Sequence, residues 1–180
     1  MTALFARVVE RGLGDCLAAA VRDSDRATDF RAAVCRFEDD LFASFPAGHQ
    51  VLDYYEGAAM VREIFRVLGR CPPRLALVPA FADSRIGAYA DIRNHRIAID
   101  RDHLYRFLVL HEAAHFIVPV DRRHGPAFTY ILQLLYRSFI GIPEDAMRCF
   151  LSHHRLPSYT RATADTARSK ANYRRPSRAA

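Results

Sequence analysis

The sequence predicts an α+β fold, a small three-stranded and mostly antiparallel sheet with helices packed around it. Three observations point there. Before residue 70, apolar residues recur every three or four positions, the period of an amphipathic helix. Residues 86–92 then alternate, with Ile86, Ala88, Ala90 and Ile92 on one face and Gly87, Tyr89 and Asp91 on the other. Arg93, Asn94 and His95 supply turn chemistry, and Ile97 and Ile99 alternate beyond them, which together read as a hairpin. After residue 100 the helical period returns.

The elements follow in order. Residues 3–20 are expected to be helical on Leu4, Phe5, Val8, Val9 and Leu13, with Gly12 and Gly14 weakening the pattern. Ser24 or Asp25 can cap a second helix. Its stripe is Phe30, Val34, Phe37 and Leu41, with Glu38, Asp39 and Asp40 off it, and Phe45–Pro46 ends it. Residues 47–56 read as a loop. A third helix is expected from about Gly57 to Leu68, stopped by Gly69. Pro72–Pro73 breaks the chain before a short strand over 75–78. Asp100 or Asp102 can start the next helix, which Pro119 ends. Gly125–Pro126 opens another, since proline suits the first helical position, and Gly141 closes it. Pro143, Glu144 and Asp145 start a last helix with acids at its positive end.

A chain of 180 residues with 51% hydrophobic and 26% charged positions is long enough for one domain with its own core. No apolar run approaches the ~18 residues of a membrane span, so no membrane partner is expected. Three parts are expected: a helical amino-terminal part over 1–56, a core over 57–158, and a disordered basic tail over 159–180. The formal net charge is +6, and most of it sits in residues 160–180, where six basic side chains face the single acid Asp165. Weak contact with nucleic-acid phosphates through that tail, falling with salt, is the partner its charge suits. Cys16, Cys35, Cys71 and Cys149 lie far apart in no CxxC pair, and Arg7, Glu10, Arg11 and Asp15 interrupt any secretory signal. A cytoplasmic protein with reduced thiols is expected.

The chemistry is concentrated in His111–Glu112–Ala113–Ala114–His115, an HExxH motif inside a helical pattern. At this composition such a motif arises by chance ~0.01 times per chain. His111 and His115 are one turn apart and leave the same helix face, which makes half of a tetrahedral zinc site. Glu112 is placed to reach a water at the metal rather than the metal itself. Catalytic zinc takes three protein ligands and keeps a fourth position open. His124 is the expected third ligand, because the linker from His115 is long enough to return and Pro126 starts a helix just beyond it. Glu144, the only glutamate after Glu112, and Asp121 are the alternatives. One Zn2+ per chain is expected. His153–His154 read as a favourable helix end, while His49, His95 and His103 read as loop, turn and cap residues. Tyr89, Tyr130 and Tyr136 are weaker candidates for stabilising an oxyanion.

His111–Glu112–x–x–His115 followed by His124–Gly125–Pro126–x–Phe128 resembles the SprT-like metallopeptidase pattern, in which an HExxH helix precedes an HGxxF-type segment supplying the third histidine. In linker length and size the chain is more similar to a family of small bacterial proteins labelled metallohydrolases. The resemblance covers about 85–141. It implies a zincin-like metallopeptidase core. The expected function is therefore a zinc-dependent metallohydrolase, foremost a metallopeptidase acting on a peptide or protein, with Glu112 as general base. Two other readings of the same residues are a hydrolase of non-peptide amides and a non-catalytic, zinc-stabilised binding module.

Overall fold

A computed structural model describes residues 3–10, 13, 30–79, 87–118 and 124–158. Within them lie six α-helices: α1 (Ala3–Glu10), α2 (Arg31–Ser44), α3 (Tyr54–Val67), α4 (Arg106–Ile117), α5 (Pro126–Phe139) and α6 (Glu144–His153). Three strands, β1 (Arg74–Val78), β2 (Ala88–Asp91) and β3 (Arg96–Asp100), form one sheet. The fold is α+β. Residues 14–29, with Ser24 and Asp25, and the basic tail over 159–180 lie outside the described residues.

The sheet order is β1-β3-β2. The expected hairpin is present, with β2 antiparallel to β3 and Ala88 opposite Ile99. β1, however, runs parallel to β3, with Leu75 beside Ile97. The sheet is thus mixed, not mostly antiparallel. The difference arises because the hairpin folds back so that β3, rather than β2, takes the centre. That central position buries Ile97, Ala98 and Ile99 completely, while β2 pairs with a strand on one side only among the described residues.

The expected loop over 47–56 is corrected at both ends. Pro46–His49 forms a 3-10 turn, and α3 begins at Tyr54 rather than Gly57. Asp53 explains the early start. Its carboxylate accepts from the Glu56 N–H at 2.8 Å, and Glu56 accepts from the Asp53 N–H at 2.9 Å, a reciprocal capping box. Asp53→Ala is expected to destabilise the fold by ~1 kcal/mol, measured by denaturant unfolding. At its other end α3 stops where expected, with Gly69 at φ +63, a left-handed cap that glycine adopts without steric cost.

Asp100 caps a 3-10 turn, Arg101–His103, and α4 starts only at Arg106. α4 lies against β2 and β3 on one side and α5 on the other. Val109, Leu110, Ala113 and Ala114 are therefore all fully buried. Phe5, Val34, Phe37 and Leu41 from the amino-terminal part join the same core cluster as Phe128, Ile131 and Leu135 of α5. The expected parts 1–56 and 57–158 thus share one core. Among the described residues, no helix is long and apolar enough to cross a membrane. Cys35, Cys71 and Cys149 are exposed free thiols, and Cys16 lies outside the described residues.

Candidate metal centre

His111 and His115 leave one face of α4, and His124 stands just before α5, which Pro126 opens at its first position. One ring nitrogen from each of the three converges, all within 4.8 Å of one another. Phe128, about one turn into α5, touches all three rings at centroid distances of 5.0, 4.5 and 4.8 Å. This ring fills the space behind the histidines, so α5 both supplies the approach of His124 and fixes its angle. Gly125, between His124 and the helix, has φ −73, which any residue can adopt.

A carboxylate from the amino-terminal part completes the centre. The His111 Nδ1–H donates to Glu38 Oε1 at 2.7 Å. The Tyr136 hydroxyl donates to the same oxygen. Glu38 and His111 are both buried, at 6% and 8% exposure, which makes this pairing obligatory for the carboxylate. A carboxylate can only accept, so His111 carries its proton on Nδ1 and turns Nε2 toward His124. Burial opposes a charge on His111, but Glu38 outweighs it and raises the imidazole to about 9. The negative charge that favours a proton here favours any cation at Nε2.

The donor set fits a metal ion. His111 Nε2 and His124 Nε2 stand 3.3 Å apart. Two ligands of a tetrahedral zinc with bonds of about 2.0–2.1 Å are separated by ~3.3–3.4 Å. Three neutral imidazoles suit zinc, copper or nickel better than magnesium or calcium. The Glu38 pairing matches the way an outer carboxylate would fix the ring orientation and tautomer of His111 if it held a metal.

Glu112 sits beside the cluster at 6% exposure. Burial pushes its carboxyl up to about 7, against the opposing charge of His111, and the Ala90 N–H of β2 hydrogen-bonds to it. That donor is available for a topological reason. The Asp100 N–H bonds to the Gly87 carbonyl at 2.9 Å, so positions 87, 89 and 91 face β3 in the alternating antiparallel ladder. Ala88 and Ala90 consequently direct their backbone groups away from β3, to the outer edge of the sheet. The HExxH carboxylate thus meets β2 on the edge that pairs with no other strand among the described residues.

Other candidates are set elsewhere. Glu144 pairs with Arg137 at 2.7 Å on the surface. Asp121 lies outside the described residues. Tyr136 is wholly buried and committed to Glu38, its phenol pushed well above the usual value by burial and by that carboxylate, so it does not serve an oxyanion. Tyr89 is exposed on β2 and accepts from Arg96 at 3.4 Å, and Tyr130 is half-buried on α5. His49 packs among Phe42, Tyr105 and Phe107, His95 lies against Phe116, and His103 lies 3.2 Å from Asp100.

His111→Ala, His115→Ala and His124→Ala are each expected to weaken zinc binding by at least ~10-fold, while Glu144→Ala leaves it unchanged. Zinc titration against a chromophoric chelator measures this. Full zinc in His124→Ala with loss in Glu144→Ala would reverse the assignment. The chain matches no family model, no curated protein and no solved structure, so its own residues supply the functional reading.

Proposed function

We propose that the protein is a zinc-dependent metallohydrolase, and within that class a metallopeptidase with kinship to the SprT-like enzymes. The observation that carries this is the meeting of His111, His115 and His124 with Glu112 at the outer edge of β2. His111, His115 and His124 would hold the ion. Zinc, when bound, supplies a Lewis acid that polarises a carbonyl and makes water a stronger acid. Glu112 takes the proton of the attacking water and returns it to the departing nitrogen. The Ala90 N–H keeps that carboxylate aimed. Glu38 holds the His111 ring in one tautomer, and Phe128 keeps water from behind the three rings.

The β2 edge favours a peptide over a small amide. The outward backbone groups of Ala88 and the outward carbonyl of Ala90 offer an extended chain main-chain pairing of the kind strand addition uses, while the Ala90 N–H stays with Glu112. A small amide has no chain to fill that edge. The test is incubation of zinc-loaded protein with an unstructured protein substrate and with a panel of small amides, products being read by mass spectrometry. Chelator-sensitive cleavage of the polypeptide supports the proposal. Turnover confined to small amides would reassign the substrate class, and no turnover of either would remove the catalytic reading.

A further inference from the structure

We infer that Asp40, His153 and His154 form a second divalent-metal site, of the zinc, nickel or copper class, joining α2 to the end of α6. This site is separate from the histidine centre and does not depend on its catalytic reading. One ligand atom from each of the three residues lies within 4.8 Å of the others. His154 Nε2 is 3.0 Å from Asp40 Oδ2. That spacing approaches the ~3.3 Å between two ligands of a tetrahedral ion.

The state of His154 is the second observation. Its side chain is only 8% exposed, and although the Asp40 carboxylate stands at ion-pair distance, the buried Nε2 makes no hydrogen bond among the described residues. A buried ring nitrogen without a hydrogen bond is costly. An ion between Nε2 and Oδ2 would satisfy both atoms without requiring the N–H to point at the oxygen. The ring is also held in place, since Phe37 packs edge-on against it at 6.2 Å and His153 at 4.9 Å. The cluster lies at the carboxyl end of α6, where the partial negative charge of the helix favours a cation. Two imidazoles and one carboxylate suit the borderline metals. Asp40 and His153 are exposed, so the remaining coordination positions face solvent and the site should be weaker than the first.

The exposed ligands also make the test clean. Asp40→Asn and His153→Ala remove a ligand without opening the core, whereas His154→Ala would leave a cavity. Full-length protein is dialysed against buffered free zinc, and bound metal is counted across a range of free concentrations. The wild type is expected to take up two zinc ions, one tightly and one at least ~10-fold more weakly. Asp40→Asn and His153→Ala should each lose the weaker ion and keep the tighter. His115→Ala should keep the weaker and lose the tighter. The inference is overturned if the wild type saturates at one zinc that His153→Ala retains, or if a second ion survives in both Asp40→Asn and His153→Ala. One zinc retained by His115→Ala and lost by His153→Ala would uphold this site and remove the other.

Discussion

Glu112→Gln is expected to lose hydrolysis by about 10²- to 10⁴-fold while keeping its metal and its fold. The reasoning is geometric. Glu112 follows His111 by one residue, about 100° round α4, so its carboxylate stands beside the histidine face rather than on it. The Ala90 N–H holds that carboxylate against the edge of β2. Glutamine has nearly the same shape, and its amide oxygen can accept from Ala90 as before. What it cannot do is take a proton from water. Zinc content and melting temperature should therefore change little, and the loss should fall on kcat. Undiminished activity in the variant would mean that another group is the base. Loss of zinc would mean that the carboxylate is itself a ligand, and the centre would have to be redrawn around it.

Those parts of the centre that are encoded locally could be read from the sequence. Two histidines four apart share a helix face wherever that helix packs, and a proline two residues after His124 marks a helix start in almost any context. Sheet order is different. The alternation over 86–92 specifies a strand and a face but not a neighbour, so nothing in β1 told that it would lie parallel to β3. The start of α3 was in reach, because Asp53-x-x-Glu56 before an apolar run is a capping signature. Tyr54 and Tyr55, both exposed, contribute no apolar stripe to that first turn, so the cap is its local signal. Glu38 was the largest omission. It is 73 residues from His111 in the chain, and only tertiary packing joins them. One signal was present. Position 38 lies four after Val34 and three before Leu41, on the buried stripe rather than off it. An acid on a buried stripe needs a buried partner.

Glu38 supplies the second large effect. Glu38→Ala is expected to cost several kcal/mol of stability and to weaken zinc binding by about 10- to 100-fold. Two donors, the His111 Nδ1–H and the Tyr136 hydroxyl, rely on one Glu38 oxygen. Without it each is a buried donor left unsatisfied, at about 1–3 kcal/mol apiece. Water cannot easily replace the carboxylate, since Tyr136 is wholly buried and His111 nearly so. Glu38→Gln separates charge from hydrogen bonding. Its amide oxygen can still accept from both donors, so stability should fall less than in the alanine variant. The negative charge that makes His111 a stronger ligand is gone, so zinc affinity should still drop by about 10-fold or more. Chemical unfolding with metal removed, paired with zinc affinity by chelator competition, reads the two effects apart. If Glu38→Gln lowers stability and leaves zinc affinity intact, Glu38 is a packing brace for α2. If affinity falls while the metal-free protein is nearly as stable as wild type, α2 belongs to the metal centre, because the tautomer and basicity of His111 are set from a helix outside the HExxH segment.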